Sequence, residues 1–357
     1  MKVLSISSDR KIFDPRSATA LRQIAYGKGF GTLDIIVFSR KSQELAPTAL
    51  SSHVHAYLTA SRSRLFYVTD ALRLARGMTR PDVVTVQDPF EAGIAGLLIA
   101  RHFKIPLHVQ VHTDFLSPEF AKLSLPNRAR VWIAGFVLRR ASRIRVVSER
   151  IRKTVQEKYH LRAEISVLPI FVDIESARRI RSDPAPVRVF SRFDNKLLFV
   201  GRLEPEKNPR LAIRAFAEVA PERACLIIVG DGSEQNMLKE FAKKLGLMEG
   251  SRMVFFEENI ESAKYYPPVD LVLVTSRYEG YGLVIIEALA AGKPVLATDV
   301  GIAREAGAIV TTEEQFAEAL RAWFKNGPRT GELKDYPYRD SSDYIQAYCE
   351  DIRAVAK

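Results

Sequence analysis

Very little in this chain is suited to covalent cross-linking or to crossing a bilayer. Of its 357 residues only two are cysteine, Cys225 and Cys349, too few for a disulfide framework and at home in a reducing compartment. The longest apolar stretches, around Phe90–Ala100 and Val131–Leu138, fall well short of the ~20 residues a membrane-spanning helix needs. The amino-terminal apolar run ends at Ile6, too early for a secretory leader, so the expected location is the cytoplasm. No repeat or low-complexity tract stands out. There is no His-Glu-x-x-His, no paired cysteine motif and no obvious Asp-x-Asp in a loop, so neither a metal nor another cofactor is expected.

What remains is ordinary globular composition, 47% hydrophobic and 27% charged, at a length that corresponds to roughly two domains. The net charge is +11, and it is unevenly placed. Residues 1–170 hold 27 Lys and Arg against 13 Asp and Glu, a surplus of fourteen, while the remainder is three charges negative. A basic half suggests an anionic partner, such as nucleic acid, a lipid surface or an acidic substrate. The competing reading is a charged surface that serves solubility alone.

Short β-branched runs alternate with amphipathic stretches along the chain. Val3–Ser7, Asp34–Phe38, Asp82–Val86, Leu107–Val111, Ile144–Val147 and Ile165–Leu168 read as strands, and Ser17–Lys28, Arg64–Arg76 and Phe90–Phe103 as helices. After Pro169 the periodicity breaks, and Asp173–Asn195 reads as a linker. A second series then begins, with strands at Lys196–Val200, Cys225–Val229, Arg252–Phe256, Leu271–Thr275 and Pro294–Thr298, and helices at Leu211–Val219, Glu234–Leu245 and Leu283–Ala291. Such alternation predicts α/β architecture, parallel sheets with helices on both faces. The expected division is residues 1–170, residues 171–340, and a carboxy-terminal helix within 341–357 that packs back on the first domain. Two similar domains imply a central cleft, and parallel sheets bind ligands at the carboxyl ends of their strands.

The most informative segment is Ser276–Gly301, SRYEGYGLVIIEALAAGKPVLATDVG. It follows a buried strand and is expected to open a helix near Gly280. Gly280 and Gly282 allow close backbone approach by a ligand, and a helix start suits an anion. On that reading Glu279 and Glu287, eight residues apart, face nearly the same way. The alternative makes Glu279 a dipole partner of the helix start and Glu287 a solvated residue. Against the latter, Glu287 sits in an apolar run, where a lone carboxylate is costly unless something engages it. In LLFVGRLEPEKNPR a strand ends at Gly201, with Arg202 at its tip and Lys207 five residues on. The two cations form a plausible clamp for a diphosphate, or else pair with Glu204 and Glu206. His112 follows an apolar run at a strand tip, where it reads equally as a structural or as a functional residue.

Taken together these residues resemble family 4 of the retaining glycosyltransferases, with the GT-B fold. The frame S-x-x-E-G-x-G-x-x-x-x-E-A-x-A-x-G-x-P-V-x-A-T is matched throughout residues 276–298, VGRLEPEKN resembles the V-G-R-L-x-x-x-K-N element, and Val147-Ser148-Glu149 resembles a strand–helix junction late in the first domain. The resemblance implies two Rossmann-like domains facing a central cleft. It also implies metal-independent hexosyl transfer from a nucleotide-diphosphate sugar to a glycan or polyprenyl-linked acceptor, in cell-surface polysaccharide or glycoconjugate synthesis. Arg202 and Lys207 would hold the diphosphate, Glu279 the donor sugar and Glu287 the ribose. Gly201, Gly280, Tyr281, Gly282 and Leu283 would complete the donor cradle, and His112 would face the donor sugar. Alternatives within reach are a nucleotide-sugar 2-epimerase of the same fold and a non-catalytic sugar-nucleotide- or nucleic-acid-binding protein.

The chain departs from the family where a Gly-Gly loop usually follows the first strand. Residues 7–17 contain no glycine, and Asp9, Arg10 and Arg16 are the candidates for acceptor-side contacts. Residues 126–162 hold eleven Lys and Arg against Glu149 and Glu157, interleaved with Val131, Trp132, Phe136 and Val137. That segment suggests peripheral contact with an anionic membrane, on the inner face of the cytoplasmic membrane; its competitor is a core helix with a solvated basic face. No recognition motif accompanies the charge, so nucleic acid is not expected.

Overall fold

The first eight strands pair into one sheet, whose central members are buried almost throughout, as expected where both faces are covered. They are β1 (Lys2–Ser7), β2 (Thr32–Val37), β3 (Thr48–Ser51), β4 (Val54–Leu58), β5 (Val83–Val86), β6 (Leu107–Val111), β7 (Arg143–Val146) and β8 (Glu164–Val167). Their order is β3-β4-β2-β1-β5-β6-β7-β8, and only the β3–β4 pairing is antiparallel. Here and below the computed structural model describes residues 1–43, 45–179, 190–257 and 262–355. Two units are present, Met1–Pro169 with Tyr338–Lys357, and Ile170–Pro337. The hairpin β3–β4 was not expected from sequence: β3 is only four residues, TALS, and β4, VHAYL, alternates buried and half-buried residues where the central strands stay buried with few breaks.

Helices 67–76, 91–103 and 125–138 lie side by side on one face of this sheet. Gly96 of the middle helix sits against Val84 and Val86, so that face is apolar. Side chains alternate along a strand, so Thr85, His108, Gln110 and Arg145 point to the opposite face. There they meet the carboxy-terminal helix Ser341–Arg353, which packs beside helix Ala18–Phe30. Across β5, β6 and β7 the sheet therefore has one apolar face and one that carries polar side chains.

In the second unit the strands are β9 (Asn195–Val200), β10 (Ala224–Val229), β11 (Arg252–Glu257), β12 (Leu271–Val274), β13 (Val295–Thr298) and β14 (Ile309–Thr311). All pair in parallel, in the order β11-β10-β9-β12-β13-β14. Numbered from β9 this is 3-2-1-4-5-6, the order of dinucleotide-binding sheets, whose ligand crevice opens where the order reverses. Both faces are apolar. Leu197, Phe199, Leu226 and Ile228 enter one core, while Leu198, Cys225, Ile227 and Val272 enter the other. Burial pushes the Cys225 thiol up to about 12, which makes it a packing residue rather than a nucleophile. Within the expected linker, Ile174–Arg179 is helical; residues 180–189 lie outside the described segments.

Candidate active site at the carboxyl ends of the second sheet

The point of reversal in the second sheet lies between β9 and β12, and the residues singled out from sequence converge there. The loop after β9 carries Gly201, Arg202 and Lys207; the loop after β12 runs from Thr275 to Gly282. Several hydrogen bonds tie the two loops together. Thr275 Oγ1 donates to the carbonyls of Lys207 (3.1 Å) and Asn208 (2.9 Å), and the Arg277 N–H donates to the Glu206 carbonyl at 2.8 Å. Neighbouring turns close tightly around them. Thr298 Oγ1 donates to the Ser276 carbonyl at 2.5 Å, and Ile302 N–H to the Tyr281 carbonyl at 3.0 Å. At Gly230, in the turn after β10, a Cβ would lie 2.0 Å from the Gly201 carbonyl oxygen at a φ of +145°, so only glycine fits.

Lys207 and Glu279 meet directly, ammonium to Oε1, with side chains 21% and 15% exposed respectively. Ser276 Oγ donates to the same Glu279 oxygen at 2.7 Å. This is a largely buried pair of opposite charges, held at the mouth of the sheet by loops on two different strands. Arg202 stands apart from it. Its guanidinium is 70% exposed and pairs with Glu206 at 2.7 Å, which is the ion-pairing alternative raised by the sequence. Glu204 is engaged elsewhere, accepting from the Ser233 backbone and hydroxyl at 3.0 and 2.7 Å.

The helix after β12 starts at Leu283, as the strand–helix alternation predicts, and not near Gly280, the start on which the alignment of the two glutamates depended. It spans Leu283–Ala290, and its cap is Gly282 at φ +99°, ψ +61°, with no side-chain cap. That left-handed residue breaks the helix before Glu279 can join it, so the two glutamates do not share a helix face. Glu279 turns back to Lys207. Glu287 lies in the helix and accepts from Tyr266 OH at 2.8 Å; burial raises its pKa above the ordinary carboxylate range, partly offset by that hydrogen bond. With a glycine at the cap, the first-turn N–H groups of the helix face no capping side chain, which suits an anionic ligand. Gly280 and Tyr281 are buried in this loop, and Leu283, the first helical residue, is exposed.

The remaining predicted residues belong to the first unit. His112 follows β6 directly, and its Nε2 lies 3.2 Å from Gln110 Oε1. Burial above all, then the positive charge of Arg145, lowers its pKa to about 3, so the ring is neutral at physiological pH. In the loop after β1, Asp9 caps the turn Arg10–Phe13: one oxygen accepts from Lys11 N–H and the other from Thr19 Oγ1, both at 3.0 Å. Its carboxylate is thereby engaged within the loop, whereas Arg10 and Arg16 are exposed.

The basic segment 126–162 is not one surface, contrary to the expectation. It breaks into helix Leu125–Leu138, β7 and helix Glu149–Lys158. Arg145 is wholly interior, Arg143 is paired with Asp351 and Glu164, and Arg130 with Glu91. The alternation of arginine with Ile144 and Val146 in β7 turns both guanidiniums onto the polar face of the sheet. Sequence reading also overlooked Gln110, Tyr266, Ser276 and Asp351. A usable signal existed for the first: His108, Gln110 and His112 at every second position mark a strand with one polar face. Tyr266 and Asp351 carry none, because their partners are far away in sequence.

Among the described residues no three His, Cys, Asp or Glu side chains are grouped so as to hold a metal ion, and no helix is long and apolar enough to cross a membrane. Comparison with known proteins supplies the family. A profile for Glycosyl transferases group 1 matches residues 188–339, and one for Glycosyltransferase Family 4 matches residues 32–176. The alpha-monoglucosyldiacylglycerol synthase of Streptococcus pneumoniae is 29% identical over 232 residues, 60% of this chain, which spans only about half, 51%, of that relative's length. The D-inositol 3-phosphate glycosyltransferase of Frankia alni is 30% identical over 294 residues, covering 74% of this chain and 71% of that protein. The solved structure of Anabaena Alr3699/HepE in complex with UDP superimposes with a TM-score of 0.69 at 20% identity, over 100% of this chain and 97% of that one; at that identity it speaks for the fold, two Rossmann-like parallel-sheet domains of the GT-B type. On these grounds the chain belongs to the family 4 glycosyltransferases.

Proposed function

We propose that this protein is a retaining glycosyltransferase that moves a sugar from a nucleotide-diphosphate sugar to a glycan or lipid-linked acceptor, in the synthesis of a cell-surface polysaccharide or glycoconjugate. The observation that carries the reading is the Lys207–Glu279 pair beside the glycine-capped helix, at the reversal point of a dinucleotide-type sheet. Transfer breaks the bond from the anomeric carbon to the diphosphate oxygen and forms one to an acceptor hydroxyl oxygen, whose proton leaves with the nucleoside diphosphate. Negative charge builds on the departing diphosphate, positive character on the anomeric carbon.

Lys207 and the first N–H groups of helix Leu283–Ala290 oppose the first of these as fixed, pre-oriented charges, usually the largest catalytic contribution. Arg202 can join them cheaply. Its guanidinium is the exposed member of the pair with Glu206, 70% against 16%, and can turn to a doubly charged phosphate without being uncovered first. Glu279 orients Lys207 and contacts the sugar, and Glu287 with Tyr266 receives the ribose. The cations do the work a divalent ion does elsewhere, so turnover persists in EDTA. The test is a panel of UDP-, GDP-, ADP- and CMP-sugars, read by thermal shift and by nucleoside diphosphate release. One donor is expected to stabilise the protein and to be turned over; if none does either, the proposal fails.

We also propose a lipid-surface contact for the first unit, narrower than the basic segment first suggested. Helix Leu125–Leu138 turns Leu125, Trp132 and Phe136 outward, with Trp132 83% exposed. Arg128, Arg139 and Arg140 are exposed beside them, and the Arg140 guanidinium lies 3.8 Å from the Phe136 ring centroid. Aromatic side chains flanked by arginines fit an anionic bilayer, at about 1 kcal/mol per basic residue near the surface. The name of the streptococcal relative, a glycolipid synthase, favours such a surface. Vesicles containing phosphatidylglycerol are expected to sediment the protein at low salt and to release it at high salt. Trp132→Ala with Arg140→Ala should abolish the effect, and sedimentation unaffected by both changes would rule the contact out.

A further inference from the structure

The polar face of the first sheet holds a hydrogen-bond relay whose proton positions are fixed by chemistry. Arg145 is wholly buried. Its Nη1 donates to Gln110 Oε1 at 2.8 Å, its Nε and Nη2 to the Leu168 carbonyl at 3.1 and 3.0 Å, and its Nη2 to Tyr344 OH at 3.2 Å. A guanidinium has donors and no acceptor, so the Gln110 atom facing it must be the amide oxygen. The Gln110 nitrogen is then directed the other way, where it donates to Thr85 Oγ1 (3.1 Å) and Tyr348 OH (2.9 Å). The same Gln110 oxygen lies 3.2 Å from His112 Nε2. Since an amide oxygen only accepts, the proton between them belongs to the histidine.

We infer that Arg145 and Gln110 are positioning residues that hold His112 as its neutral Nε2–H tautomer, leaving Nδ1 as the ring's lone pair for a substrate hydroxyl. The assignment does not depend on the state of His108 further along the relay, because the donor-only guanidinium alone orients the amide. The carboxy-terminal helix completes the arrangement. Tyr344 and Tyr348 meet Arg145 and Gln110, while Asp351 accepts from Arg143 Nε at 2.6 Å and from His108 Nε2 at 3.0 Å. A segment more than two hundred residues from His112 thus packs against the two residues that orient that ring. The use of Nδ1 by a sugar hydroxyl rests on the glycosyl-transfer reading; the tautomer does not.

Long-range proton–nitrogen spectra of the full chain, labelled at histidine and assigned with His112→Gln, read the tautomer directly. Nε2 is expected to be pyrrole-like and Nδ1 pyridine-like, with no protonation between pH 5 and 8. A charged ring in that range, or an Nδ1–H tautomer, overturns the inference whatever the activity. Gln110→Leu removes the acceptor while keeping the side-chain volume. It should lower turnover about ten- to a hundredfold, as a misplaced group does, and leave the affinity for free nucleoside diphosphate within twofold. Gln110→Glu restores an acceptor for Arg145 and His112. It should recover part of the rate lost in Gln110→Leu, a rescue by a second acceptor that a merely structural role would not produce, and the added carboxylate should raise the His112 pKa. Wild-type turnover in Gln110→Leu refutes the positioning role. If no nucleotide sugar is turned over by the unaltered protein, the glycosyl-transfer reading fails instead, and the spectra still decide the tautomer.

Discussion

Lys207→Ala is expected to lower donor turnover by about two to three orders of magnitude, the usual effect of removing one pre-oriented group that stabilises developing negative charge. The ammonium is largely buried, so its field is poorly screened, and it is held in place by Glu279 and by the loop hydrogen bonds from Thr275. Removing it also takes from the Glu279 carboxylate its charged partner and leaves it the Ser276 hydroxyl as a donor. Glu279→Gln should cost less in nucleotide affinity than in rate, because it loosens the lysine without deleting it. The double variant should be little worse than Lys207→Ala alone, since the two residues act as a unit. Steady-state rates and calorimetric affinities of the three variants check this. A Lys207→Ala enzyme within threefold of the unaltered one would remove the central element of the proposed mechanism.

Asp351→Ala is expected to destabilise the first unit by about 3–5 kcal/mol, as breaking a buried ion pair by deleting one partner does. The carboxylate is almost fully buried and serves both the Arg143 guanidinium and the His108 ring. Without it a largely buried cation and a buried imidazole lose their shared partner. At ~3 kcal/mol per molar urea, an upper value for smaller domains, the unit's midpoint should fall by about 1 M or more.

The pH dependence has a definite sign. His108 and Arg143 hold the Asp351 carboxyl far below the ordinary carboxylate range, despite a burial penalty that acts the other way. A group whose folded value is depressed contributes stability above its unfolded value, ~3.9, and loses it as pH falls toward the folded one. The gap between the parent and Asp351→Ala should therefore persist from pH 6 to 8 and close progressively below about pH 4. Urea melts at a series of pH values measure it, and a gap independent of pH down to 2 would show that Asp351 does not stabilise the unit through its charge.

The alternation of apolar runs and helical stretches was enough to establish two parallel α/β units, because burial on both sheet faces leaves near-continuous apolar strands such as LLFV and LVLV. The same logic singled out the candidate residues. Gly201, Arg202 and Lys207 follow one such run and Glu279 to Leu283 another, and ligands gather at strand carboxyl ends. Local chemistry of this kind is written in adjacent residues and needs no tertiary information. Which carboxylate meets which cation was not written there. Whether Lys207 met Glu206 or Glu279 depended on β9 and β12 becoming neighbours, and the glycine cap at 282, not helical periodicity, decided where Glu279 points. The largest misreading concerned charge. Arg143 and Arg145 count toward a basic surface when summed along the chain, yet a strand's two-residue period turns both inward, and a helix from the far end of the chain supplies the tyrosines and the aspartate that make their burial tolerable. Pairings of that length follow from topology, because the cost of leaving a buried charge unmatched is settled only when distant segments are brought together.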